Sequence, residues 1–146
     1  MKMVEISGKK DVLRIARAKG KILLKKETID RIKKNEIEKG DVLSASKLSA
    51  ILATKLTPGL IPLCHPIPIT GVEVNFEIGE NEIEVSVEVR SLGKTGVEME
   101  ALTGVSMALL TIWDMVKKYE KDEKGQYPDT KITYIGVTEK IKREVE

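Results

Sequence analysis

The sequence predicts an α+β fold, in which an antiparallel sheet is packed by helices in a single domain spanning 1–146. Three observations carry that prediction. Residues 71–90 alternate with period two on both sides of a tight turn, which is the pattern of a hairpin with one face buried. Residues 97–119 carry apolar side chains three or four apart, at Val97, Ala101, Val105, Ala108, Ile112, Val116 and Tyr119, which makes one helical stripe. The 146 residues suffice for a real core, and no internal repeat or low-complexity linker divides them.

Taken in order, Val4 to Ser7 reads as a short strand. Ala16 to Leu24 alternates small or apolar residues with basic ones and reads as a longer strand with Arg14 at its start. Taken alone, Arg14 reads as a solvated surface charge. Glu27 to Asn35 is expected to be a short helix with Ile29 and Ile32 inward. The loop EIEKGD ends at Gly40-Asp41, a turn leading into a helix from Val42 to Leu56 with Ala45, Leu48, Leu52 and Leu56 on one side. Thr57-Pro58-Gly59 should stop that helix, because proline lacks an N–H and disfavours helix in the residue before it.

The run from Leu60 to Pro68 is apolar and stiffened by three prolines, and it holds the chain's one cysteine and one histidine. A Cys-His pair alone has too few ligands for a zinc site. A rigid segment does, however, present one imidazole at a fixed place. The hairpin follows: Val72, Val74, Phe76 and Ile78, then Gly79-Glu80-Asn81, then Ile83, Val85, Val87 and Val89. Its acidic face is expected toward solvent.

Gly93-Lys94-Thr95-Gly96 is not a P-loop, since the first glycine of that motif would fall at Glu88. It remains a turn feeding the N-terminus of the long helix, where backbone N–H groups can hold an anion. Met99, Leu102, Leu109 and Trp113 make a second apolar stripe on that helix, and Ala101, Gly104, Ala108 and Thr111 make a face of small residues. The polar exceptions are Glu98, Glu100, Asp114 and Lys117. Glu98, Glu100 and Lys117 suit the helix dipole, whereas Asp114 gains nothing from it. Glu100 and Asp114 stand on the order of 21 Å apart along the axis. Either an elongated ligand spans the helix, or each end serves a different site. Lys121 to Asp129 reads as a polar loop and Lys131 to Val137 as a last strand, with the tail from about residue 139 frayed.

Composition narrows the function classes. The net charge is +2, from 25 basic and 23 acidic residues interspersed, so no footprint for nucleic acid is present. No run is expected to span a membrane, and MKMVEISGKKD does not read as a signal peptide. One cysteine excludes an internal disulfide and fits a reducing cytoplasm. The Lys- and Glu-rich charge content, 33% of residues, hints at a thermophilic source.

Four segments together carry a specific resemblance: KGDV (Lys39 to Val42), LIPLCHP (Leu60 to Pro66), GKTGVEMEALT (Gly93 to Thr103) and Asp114-Met115-Val116-Lys117. In that order and spacing, over about Val4 to Lys118, the chain resembles the MoaC family, the cyclic pyranopterin monophosphate synthases of molybdenum cofactor biosynthesis. The C-terminal part departs. Many members carry a glycine-rich GGKSG-like segment where Gly136-Val137-Thr138-Glu139-Lys140 stands here. No functional residue is therefore carried beyond Lys118.

The resemblance implies a ferredoxin-like core, a homohexamer of dimers with sites at subunit interfaces, and a cytoplasmic enzyme with no cofactor or metal. It also implies a reaction in which a cyclised dihydroguanosine triphosphate rearranges to cyclic pyranopterin monophosphate and releases pyrophosphate. Such chemistry needs repeated proton transfers and neutralisation of a triphosphate. By the same resemblance Asp114 is the active-site residue, with Lys117 one helical turn away, and Lys39 is the other general acid/base. A lysine acts near neutral pH if its surroundings depress its pKa. His65 and Arg14 are expected at the phosphates. Leu63, Cys64, Met99 and Glu100 match substrate-binding positions, and Glu100 can accept hydrogen bonds from a guanine-like edge.

A non-catalytic nucleotide-binding oligomer on the same scaffold is the competing expectation, and pyrophosphate release separates the two. A metal-dependent phosphohydrolase lacks a carboxylate cluster for Mg²⁺.

Overall fold

The computed structural model describes residues 1–145. Its elements run β1 (Val12–Leu23), α1 (Lys26–Lys33), α2 (Val42–Leu60), β2 (Ile69–Ile78), β3 (Glu82–Gly93), α3 (Glu98–Glu120) and β4 (Lys131–Arg143). The four strands form one antiparallel sheet in the order β2-β3-β1-β4. With α1 and α2 in one crossover and α3 in the other, this is the ferredoxin-like arrangement.

Alternation decides the sheet's two faces. Ile22 of β1 and Ile83, Val85, Val87 and Val89 of β3 are buried beneath α3, whose Val105, Ala108, Leu109, Ile112 and Val116 meet them. The opposite face is charged and cross-paired, because the basic alternation of β1 lies beside the acidic alternation of β3. Arg17 stands opposite Glu88, with Nε 2.7 Å from Oε1, and Lys19 reaches Glu84 at 3.5 Å. Such solvated pairs contribute little individually; they fix which face looks outward.

Two glycines set the depth at which α3 sits. A Cβ on Gly20 of β1 would lie 2.6 Å from Val105 Cγ1 and 2.7 Å from Leu109 Cδ1. One on Gly104 would lie 2.8 Å from Thr54 Oγ1 and 3.3 Å from the Ala50 carbonyl oxygen. The small-residue face of α3 is therefore covered by α2 of the same chain.

Several expectations are corrected. Residues Val4 to Ser7 form no strand, since they pair with no neighbouring strand. Pro58 does not stop α2, which continues to Leu60. A proline in the last turn removes only one helical hydrogen bond, and Thr57 Oγ1 donates to the Ala53 carbonyl at 2.9 Å. The inward side of α2 is Ala50, Ala53, Thr54 and Thr57, while Leu48, Leu52, Leu56 and Leu60 are each more than half exposed. The tail does not fray at residue 139, because β4 pairs with β1 as far as Arg143. Finally, α3 is long and apolar enough to cross a membrane, with mean hydropathy 1.3, yet half of that window is buried inside the fold. It is a core helix.

One buried carboxylate ties the ends together. Glu120, at the last residue of α3, accepts from Lys25 N at 3.1 Å, from Thr130 Oγ1 at 2.6 Å and from Thr28 Oγ1. These bonds join the start of α1 and the approach to β4 to the end of α3.

Candidate active site

The C-terminal half of α3 projects Asp114 and, one turn later, Lys117. Their charges meet at 3.0 Å between Lys117 Nζ and Asp114 Oδ1. A third group arrives from the loop between α1 and α2, whose path is fixed locally. Ile37 is buried and anchors it. Gly40 turns it with a φ of 117° that only glycine adopts freely. Asp41 accepts from Ser44 N at 3.1 Å and so caps α2. The Tyr119 hydroxyl accepts from Glu38 N at 2.9 Å, and Glu38 pairs with Lys118. Held this way, Lys39 lies over α3, and its Nζ donates to Asp114 Oδ2 at 2.9 Å and to the Asp114 carbonyl at 3.2 Å.

The electrostatics follow. Hydrogen bonds from Lys39 and then Lys117 hold the Asp114 carboxyl below its ordinary range. The same carboxylate raises the Lys117 ammonium above its ordinary range. The expected depression of a lysine is therefore not what this arrangement gives Lys117. Paired this way, Lys117 stays a cation and Asp114 an anion. Leu110, Trp113, Asp114 and Lys117 line an open cavity of about 360 Å³ beside this cluster.

The other candidates gather at the start of α3. Beyond Leu60 the chain turns, with Cys64 N donating to the Ile61 carbonyl at 3.1 Å. The proline-stiffened run then reaches β2, and Ser91 Oγ pins it by donating to the Pro68 carbonyl at 2.7 Å. Leu63, Cys64 and His65 thereby face Thr95, Gly96, Glu98 and Met99 across an open cleft of about 410 Å³. His65 Nε2 lies 2.8 Å from the Val4 carbonyl oxygen, an arrangement in which the ring nitrogen donates.

Glu100 lies beneath this cleft at 1% exposure. Its Oε1 has no hydrogen-bond partner, and Oε2 lies 4.0 Å from Cys64 Sγ. Burial raises its pKa. Burial, and then the Glu100 charge, raise the pKa of the Cys64 thiol.

Arg14 corrects the sequence reading. It is 6% exposed rather than solvated, and its Nε and Nη2 donate to the carbonyls of Gly93 and Lys94 at 3.2 Å each. Its place is under the turn that carries Thr95 and Gly96, and it does not line the cleft.

Lys140 was not among the expected residues, yet its Nζ lies 2.6 Å from Glu98 Oε1 at the cleft rim. The signal for it was a lysine in the last strand, in the segment where the family pattern breaks. Among the described residues no group of three or more His, Cys, Asp or Glu side chains could hold a metal ion.

The chain thus brings Lys39, Asp114 and Lys117 together, and separately Leu63, Cys64, His65, Met99 and Glu100. It does not bring the two groups together. They stand at opposite parts of one helix, with Glu100 and Asp114 about 21 Å apart along the axis.

Comparison with known proteins agrees in one direction. The family model described as MoaC family matches residues 3–142. A probable cyclic pyranopterin monophosphate synthase of Pyrococcus furiosus is 65% identical over 144 residues, covering 99% of this chain and 92% of that protein. Proteins of the same description from Thermococcus kodakarensis, 61% identical over 99% of this chain and 92% of the relative, and Methanosarcina mazei, 59% over 97% and 90%, are similar along nearly their whole length.

Proposed function

This chain belongs to the MoaC family, and we propose that it converts a cyclised dihydroguanosine triphosphate to cyclic pyranopterin monophosphate with release of pyrophosphate. It is an enzyme of molybdenum cofactor biosynthesis. The observation that carries the proposed reaction is the Lys39–Asp114–Lys117 cluster, a carboxylate held ionised between two ammonium groups.

In the proposed reaction the imidazole ring of the purine opens, the pterin ring closes onto the sugar, and a sugar hydroxyl displaces pyrophosphate from the α-phosphate. Asp114 accepts protons, and Lys117 and Lys39 donate them and neutralise developing charge. Glu100, its pKa raised and one oxygen unpartnered, is suited to hydrogen bonding a polar heterocycle edge. Leu63, Cys64 and Met99 form walls of the cleft, and His65 Nε2 becomes a donor to phosphate once it releases the Val4 carbonyl. Arg14 acts by holding the Gly93–Gly96 turn.

Both groups serve one substrate if they come from different subunits. An antiparallel two-fold contact would set one chain's Glu100 beside its partner's Asp114. The exposed ladder of Leu48, Leu52, Leu56 and Leu60 supports assembly, because a contiguous apolar stripe of that length favours being covered. We place the enzyme in the cytoplasm as a homohexamer of dimers.

Incubating the chain with the cyclised triphosphate and weighing the products by mass spectrometry tests the reading. Cyclic pyranopterin monophosphate and one pyrophosphate per turnover are expected. Bound but intact nucleotide would instead mean a binding protein on the same scaffold.

A further inference from the structure

The three proton-transfer groups adjoin a patch of apolar surface that the roles above leave unused. Leu110 and Trp113 line the open cavity together with Asp114 and Lys117. Leu110 is 51% exposed, and Trp113 is half-buried. Tyr127, from the loop after α3, backs the indole edge-on, with ring centroids 5.2 Å apart and planes at 73°. An indole braced on one side and open to a cavity on another is a preorganised flat surface, able to bind with little further loss of side-chain entropy.

Chemistry decides what fits it. In the reaction proposed above, bonds break and form in the heterocycle and the adjoining sugar. The groups that move protons must therefore lie against the heterocycle, and the apolar wall beside those groups is Trp113 and Leu110. A charged cluster in an open cavity holds a flat, nearly neutral ring poorly. Stacking on an aromatic face is the interaction that does so in a sequence-tolerant way for nucleobases generally. We propose that Trp113 is the stacking platform for the purine-derived heterocycle and a specificity-determining residue of this site. The inference rests on the reading of the ligand as a nucleotide-derived triphosphate, and it assigns the heterocycle to the Asp114 cavity. The competing role is simple packing of Trp113 against the core, where its inner side already lies.

Trp113 is the chain's one tryptophan, so its emission reports on this place alone. Titrating the assembled protein with GTP, excited at the red edge of the indole band, should quench that emission. Inorganic triphosphate, which lacks the ring, should leave it unchanged. By calorimetry, Trp113→Leu should weaken GTP binding about tenfold or more while leaving triphosphate affinity as it was. Trp113→Phe, which keeps an aromatic face, should stay within about threefold of the parent. Equal quenching by the two ligands, no response to millimolar GTP, or parental GTP affinity in a folded Trp113→Leu would each overturn the inference. If Trp113→Leu does not fold, the GTP-against-triphosphate contrast in the parent decides. Product formation from the cyclised triphosphate is scored separately. Selective quenching by GTP without conversion would keep the platform and refute the reaction.

Discussion

Lys39 Nζ lies 2.9 Å from Asp114 Oδ2, although 75 residues of chain separate the two. The contact exists because the loop after α1 is anchored at Ile37, turned at Gly40 and held to α3 through Tyr119. The catalytic prediction follows from it. Lys39→Ala and Lys117→Ala should each lower turnover by about 10²–10⁴, measured as pyrophosphate release. Lys39→Ala should move the melting temperature little, as an exposed loop residue does. Parental turnover in either variant would remove that lysine from the mechanism.

The hairpin, the long helix and the Asp114/Lys117 pair were legible because each is written locally, in alternation or in three-and-four spacing. Arg14 was not. An arginine in a basic alternating strand looks solvated, and its burial depends on the carbonyls of Gly93 and Lys94, which meet it only through the β1–β3 pairing. The orientation of α2 was hidden for a related reason. Its spacing puts the leucines on one side without saying which way that side faces. Gly104 admits only a helix whose facing residues are small, so Ala50 and Thr54 turn in and the leucines turn out. Continuation of α2 past Pro58 and of β4 past residue 139 likewise depended on neighbours that no local pattern names.

Arg14 yields the second prediction. Arg14→Ala should destabilise the fold by about 2–3 kcal/mol, since one buried and one part-buried carbonyl lose their donor. Arg14→Lys should rescue only part of this, because an ammonium cannot reproduce the guanidinium fork. Denaturant unfolding of both variants checks it, and parental stability in Arg14→Ala would contradict the clamp.

Glu100 and Asp114 should respond to pH with opposite signs. The folded pKa of Asp114 is lowered, so its small contribution is present above the ordinary value of 3.8 and is lost as pH falls through the folded value. The folded pKa of Glu100 is raised by burial. It therefore costs stability progressively as pH rises from the ordinary value of 4.5 through the raised one. Glu100→Gln should gain about 1 kcal/mol at neutral pH and show no such loss on the rising limb. A less stable Glu100→Gln at neutral pH would show that the charge is compensated.

Cys64 is predicted to be a packing residue. Its thiol pKa is raised by burial and by Glu100, the opposite of what a nucleophile needs. Cys64→Ala and Cys64→Ser should keep measurable activity, and alkylation of the parent thiol should be slower than that of free cysteine. A covalent substrate adduct on this sulfur, seen by mass spectrometry, would overturn the assignment.

The central claim is that one site is completed by two chains, with Glu100 from one and Asp114 from the other. Its most direct test mixes Glu100→Ala and Asp114→Ala chains in equal amounts after dissociation and reassembly, each variant alone being inactive. A shared site is intact when one position draws Glu100 and the other draws Asp114. Random pairing therefore returns about a quarter of normal activity. If both residues act within a single chain, every site carries one lesion, and the mixture stays inactive.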